Sequence, residues 1–214
     1  LTGGDRTALP RQRTLRACID WSYDLLTESE RVLLRRLAVF AGGFTLDAAE
    51  SVAAGAGLAA ADVMDLLGHL VEKSLVEMDA EGRRYRLLET VREYARERLS
   101  VSNEGDLVRG RHLAFYLAFA ESARPALVGR DQAAWFARLD LERENLLVAH
   151  ACCEGADGGG ELGLRLVSSV RRYWIVRGLL GLGYQLTVEA LARPGAQART
   201  AARCGALTDA GEFR

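Results

Sequence analysis

The chain has 214 residues, 49% of them hydrophobic and 27% charged, with a formal net charge of −1. This supports a packed core in one or two domains and gives no general reason to expect a polyanionic partner. No apolar run reaches the ~18 residues of a membrane span, and no signal peptide opens the sequence. The chain starts at Leu1 in what reads as a loop, as expected of a piece of a longer polypeptide. Basic charge is nearly all arginine, Lys73 being the only lysine. Cys18, Cys152, Cys153 and Cys204 lack C-x-x-C spacing, so free thiols acting as small apolar fillers in a reducing, cytoplasmic compartment are expected.

Residues 15–26 place Leu15, Cys18, Ile19, Ser22, Leu25 and Leu26 on one helical face. Within DWSYDLLTESE that helix ends and another begins at once, with Thr27 as N-cap and Glu30 completing a capping box. The second helix carries Leu33, Leu34, Leu37 and Phe40 and stops at Gly42-Gly43. Thr45 caps a short third helix with Leu46, Ala49 and Val52 inward. After the loop GAGLAA, a fourth helix over residues 61–73 sets Val63, Leu66, Leu67, Leu70 and Val71 on one stripe. SLVEM and RYRLL, separated by DAEGR, predict a β-hairpin, and ETVREYARERL predicts a helix burying Val91, Tyr94, Ala95 and Leu99. This is the order of a winged helix with an added C-terminal helix. The hairpin is the wing and the fourth helix takes the place of the recognition helix.

From residue 106 the pattern is helical throughout, in segments 106–123, 131–153, 161–177 and 180–192. Pro125, DGGGE, Gly178 and Pro194-Gly195 read as the turns between them. The expected fold is therefore mainly α: a winged helix-turn-helix domain with a β-hairpin wing, then a TPR-like (tetratricopeptide-like) α-helical solenoid. The expected divisions are 1–14 as the end of a linker, 15–104 as the winged helix and 105–214 as an incomplete repeat region whose last residues, CGALTDAGEFR, read as a truncated or frayed helix pair.

No constellation for catalysis stands out. GAGLAA matches G-x-G-x-x-A by letter, but a helix precedes it where a dinucleotide site needs a strand. There is no phosphate loop, so the segment is not expected to be an enzyme. His69, His112 and His150 lie far apart; His112, on a stripe with Val108, Phe115, Tyr116 and Phe119, reads as a hydrogen-bonded core residue. No metal site is expected. Glu142 and Glu144 read as part of a solvated helix surface. A recognition helix must meet phosphates and base edges with Arg, Lys, Asn or Gln, yet DVMDLLGHLVEKS offers Asp62, Asp65 and Glu72 against Lys73 alone. Arg83, Arg84 and Arg86 of the wing are diluted by Glu77, Asp79 and Glu81. Nucleic acid is accordingly not the expected partner of this segment. Arg6, Arg11, Arg13 and Arg16 form either a solvated basic arm or a face toward a phosphate-holding neighbour. In RRYWIVRG, Arg171, Arg172, Tyr173 and Arg177 are the candidate protein-interaction residues, with Trp174 on the buried stripe beside Leu166, Val167 and Val170.

LTGG, PRQRTLRACIDWSYDLL, LLRRLAVFAGGFTLDAAE, LLGHLVEKSLV, YRLLETVREYARERL and LERENL together resemble the region after the nucleotide-binding module of bacterial STAND-class NTPases, the NB-ARC-like regulators. The resemblance implies an ATPase core in the parent protein that binds ATP or ADP, while this chain holds no cofactor itself. It implies that the winged helix folds back over bound ADP and is released on exchange for ATP. In many relatives a Met-His-Asp motif after the wing gives a histidine to the nucleotide phosphate. The matching stretch here is Leu87-Leu88-Glu89, so Leu88 stands at the histidine position and cannot donate that bond. Glu89 and Arg13 are left as core-facing contacts. The implied partners are the ATPase core of the same polypeptide and a protein or small-molecule signal, with no membrane.

Overall fold

A computed structural model describes residues 10–213, with side chains from Thr14 onward except Leu15. It divides into two compact units. One comprises the described residues up to Val39 together with Phe44–Gly105; the other comprises Phe40–Gly43 together with Asp106 onward.

In the first unit, α1 (Pro10–Asp24) leads into α2 (Glu28–Leu37). The joint is the expected capping box: Glu30 N–H donates to Thr27 Oγ1 at 3.3 Å, and Thr27 N–H donates to Glu30 Oε2 at 2.7 Å. Strand β1 (Gly43–Phe44) is followed by α3 (Leu46–Ala53), capped by Thr45, a 3-10 turn (Ala60–Asp62) and α4 (Val63–Glu72). The hairpin is β2 (Glu77–Met78) paired antiparallel with β3 (Tyr85–Arg86), and α5 (Glu89–Val101) closes the unit. The sheet order β1-β3-β2 puts the first strand beside the far arm of the hairpin. The core packs Leu33, Leu34 and Leu37 of α2 against Ala49 and Val52 of α3, Val63, Leu67 and Leu70 of α4 and the α5 residues Val91, Ala95 and Leu99, all buried. The face read for α1 needs correction. Ile19 and Leu26 are buried, but Leu25 is 60% exposed and Cys18 lies outside. Helix α1 packs on α5 through a narrow stripe in which Tyr23 meets Tyr94 edge-on, and Tyr94 donates to Asp20.

The second unit is helical: α6 (Gly105–Ala126), α7 (Gln132–Cys152), α8 (Gly159–Ser169), α9 (Arg171–Val176), α10 (Leu180–Ala192) and α11 (Ala201–Glu212). Helices α7, α10 and α11 each pack on α8. Three local readings change here. Pro125 lies inside α6 rather than after it. It stands one residue from the helix end, so the bond it removes is confined to the last turn, and Leu127 N–H still reaches Ala123 C=O at 3.1 Å. The expected helix 161–177 breaks at Val170, and six-residue α9 sends the adjacent Tyr173 and Trp174 both inward. The tail is one helix, capped by Thr200, with Ala206, Asp209 and Phe213 buried. Among the described residues no helix is long and apolar enough to cross a membrane.

The run DGGGE does more than turn the chain. Gly158 has φ +68°, and a Cβ at Gly160 would lie 2.5 Å from Ala196 N and 2.6 Å from Pro194 O. Backbone meets backbone there, so the contact cannot yield by a side-chain rotation. Gly160→Ala is expected to destabilise the unit by about 1–3 kcal/mol, as overpacking does. A thermal melt with an unchanged midpoint would contradict that close approach.

Candidate functional site

Burying Val63, Leu67 and Leu70 turns the rest of α4 outward. The exposed residues are Met64, Asp65, Gly68, His69 and Glu72, preceded by exposed Ala61 and Asp62. Met64 is 57% exposed. The helix has no arginine, and its two basic groups are engaged. Lys73 donates to Glu30 Oε1 at 2.5 Å, and His69 Nδ1 lies 3.5 Å from the same oxygen. Glu30 is 2% exposed. Burial opposes its ionisation, but the Lys73 ammonium and the two Thr27 hydrogen bonds outweigh that and hold the carboxyl below its usual range. The residue that caps α2 therefore also ties down the only ammonium side chain at the end of α4. Sequence reasoning found the cap but not the ion pair, because partners 43 positions apart leave no local signal.

The wing is self-neutralised. Arg86 pairs with Glu77 at 2.6 Å and Arg83 lies 3.9 Å from Glu81. Asp79 Oδ1 accepts from the backbone N–H groups of Arg83 and Arg84, at 2.7 and 3.1 Å, and shapes the turn.

Leu88, 44% exposed, is the N-cap residue of α5 and makes no side-chain cap bond. Glu89 starts the helix, and Arg92 Nη2 donates to both its carboxylate oxygens at 2.7 Å. Those hydrogen bonds lower the Glu89 pKa. A cation approaching Glu89 must therefore share it with Arg92. The side chain of Arg13 lies outside the described residues.

The loop GAGLAA wraps a cation. Arg36 is fully buried, and its Nη1 donates to Ala53 O at 2.7 Å and Gly55 O at 2.6 Å. Its Nη2 donates to Ala56 O at 3.1 Å and Glu104 Oε1 at 2.5 Å. A phosphate site offers N–H groups to an anion; this loop offers carbonyls to a guanidinium, the opposite polarity. Positive φ at Gly55 (95°), Ala56 (46°) and Gly57 (89°) aims them inward.

In the second unit, the residues picked from RRYWIVRG are committed internally. Tyr173 is fully buried and donates to Asp140 at 3.0 Å, and Arg177 Nη2 pairs with Asp140 at 2.5 Å. Arg172 donates to Leu127 C=O at 2.8 Å, and Arg171 pairs with Asp209 and Glu212. The grouping of arginine with an aromatic reflects helix-to-helix packing. Trp174 is buried, as its spacing required. Glu142 is a correction: it is 7% exposed, accepting from Tyr116 Oη at 2.9 Å and from Asn145 Nδ2 at 2.8 Å. Asn145, fully buried, accepts from Ala41 N–H at 2.8 Å and donates to Gly43 C=O at 2.9 Å. In LERENL the i,i+3 spacing of Glu142 and Asn145 is thus a polar core motif, which a charge-counting reading takes for surface. His112 is buried in the core, as expected; neither ring nitrogen has a partner in good hydrogen-bond geometry, although the Asn145 amide interacts with the ring, which packs edge-on to Phe40 at 5.4 Å and tilted on Tyr116 at 4.6 Å. Burial lowers its pKa to about 4.

This arrangement of helices, three-stranded sheet and wing defines a winged helix-turn-helix domain, and residues 26–100 match the family model for that domain. The chain is 48% identical over 186 residues to a Mycobacterium tuberculosis protein named "Putative HTH-type transcriptional regulator" and to its Mycobacterium bovis counterpart of the same description. The match covers 86% of this chain and 21% of those proteins, so the chain spans about a fifth of their length. It is also 42% identical over 115 residues, 52% of this chain and 29% of the relative, to an uncharacterised Mycobacterium tuberculosis protein. No solved structure matches.

Proposed function

We propose that this chain is the regulatory and interaction segment of a larger transcriptional regulator, with a winged helix that docks on protein rather than on duplex DNA. In this reading the segment is not an enzyme and holds no cofactor. Its partner is a cytoplasmic STAND-type NTPase core of the same polypeptide, whose ADP or ATP state sets how the winged helix is held. The helical region receives the protein or small-molecule signal. The observation that carries the reading is the outer face of α4: Asp62, Asp65 and Glu72 are exposed while His69 and Lys73 both sit at Glu30. Phosphate neutralisation dominates DNA affinity, and this face has the wrong sign for it.

A second reading, a DNA-binding winged helix, is favoured by the regulators' name and by the exposed wing residue Arg83, whose side chain is 76% exposed. Duplex titration at about 50 and 200 mM salt separates the two. The docking reading expects weak binding with a shallow salt slope. A fall of about 10³-fold or more between the two salts would mean six or more phosphate contacts and would establish the second reading.

A further inference from the structure

The cluster chosen from sequence turns inward, but another arginine–aromatic cluster faces out. On α6, Phe115 and Phe119 are one turn apart and each is half-buried, over fully buried Tyr116. On α7, half-buried Trp135 lies 5.6 Å from Phe119, centroid to centroid. The exposed Arg138 guanidinium sits 4.2 Å over the Trp135 ring and 5.6 Å from that of Phe119. Of the two α7 arginines, Arg143 pairs with Glu144, whereas Arg138 has no carboxylate partner among the described residues. The cluster is held from beneath, since Tyr116 donates to Glu142, which also accepts from Asn145. Side chains already fixed in place lose little freedom on binding, and Trp and Arg are the residues that dominate protein hot spots.

We infer that the Phe115–Phe119–Trp135–Arg138 strip binds a peptide segment carrying an acidic residue next to an aromatic or aliphatic one. The carboxylate pairs with Arg138, and the apolar side chain lies on the exposed parts of Trp135 and Phe119. The unpaired guanidinium sets the sign of the partner. A nucleic acid strand fits less well, because it needs a row of cations along its backbone, and Arg138 is the one guanidinium over the Phe119 and Trp135 rings among the described residues. The inference names the partner chemistry of the helical region in the reading above, and rests on that reading only for the idea that this region is a binding surface.

The test is selection of a random dodecapeptide display library on the whole immobilised chain. A selected peptide, its Asp/Glu→Asn/Gln version and a dodecathymidine are then titrated against the chain by calorimetry. Acidic–apolar peptides should be enriched, should weaken at least tenfold when their acid is neutralised, and should weaken at least tenfold on Arg138→Gln. Arg143→Gln should change binding less than twofold. No enrichment over the Arg138→Gln chain, or charge-independent binding, overturns the inference. Dodecathymidine binding that outcompetes the peptide overturns it in favour of a stacking platform for single strands. Arg138 is exposed, so its variant keeps the fold, and the duplex titration above is unaffected by any of these outcomes.

Discussion

Arg36→Met should lower the stability of the winged-helix unit by about 3–5 kcal/mol, the usual result of removing one partner from a buried charge pair. The guanidinium meets three carbonyls of the α3–α4 connection and the Glu104 carboxylate, and Arg35 Nε holds the other Glu104 oxygen at 2.8 Å. Methionine fills much of the volume but takes the guanidinium donors away from the Ala53 and Ala56 carbonyls and from Glu104 Oε1, and a loop with three successive positive φ values loses what orients it. Arg36→Lys should recover only part of the loss, since a compact ammonium cannot span four acceptors arranged for a planar fork. Urea unfolding followed by circular dichroism reads this as a midpoint lowered by more than about 1 M for the methionine variant. An unmoved midpoint would show that the cage contributes nothing.

Acidification should weaken the helical unit in a defined window. Burial, with Arg193 adding to it at His150, lowers the pKa values of both His112 and His150 to about 4. An unfolded histidine titrates near 6.5. Between those values the unfolded chain binds the protons and the folded one does not, so stability is full above about pH 6.5 and falls as pH drops toward 4. Each histidine should remove about 2 kcal/mol by pH 5. The depressed carboxylates Glu30 and Glu104 lose their contribution only below about pH 4.5, outside this window. Urea midpoints at pH 7 and pH 5 should therefore separate in the native chain and converge for a His112→Gln, His150→Gln double variant. Equal midpoints in the native chain would mean that these rings are charged or solvated.

The winged helix was legible because its signals are local. Thr27 and Glu30 are three residues apart, the hairpin's strand formers flank a turn, and the apolar residues of α5 repeat at helical spacing. What escaped was set by distance. Arg36 reads as one of several arginines until the fold brings Glu104 and the GAGLAA carbonyls to it, 19 to 68 residues away. Glu142 looks solvated until Tyr116 and Asn145 surround it. The arginines beside Tyr173 look like a binding patch until Asp140 and the α6 end at Leu127 claim them. Trp135 and Arg138 raise no alarm in sequence because their significance depends on Phe119 of another helix.

The engagement of Lys73 with Glu30 makes that side chain useful as a chemical sentinel. It carries the only ε-amino group in the chain. Acylation by an amine-selective reagent, apart from any terminal amine, would thus modify a single position at the end of α4. The rate of that modification would report, without a label or a second variant, whether something has come to rest over that end of the helix.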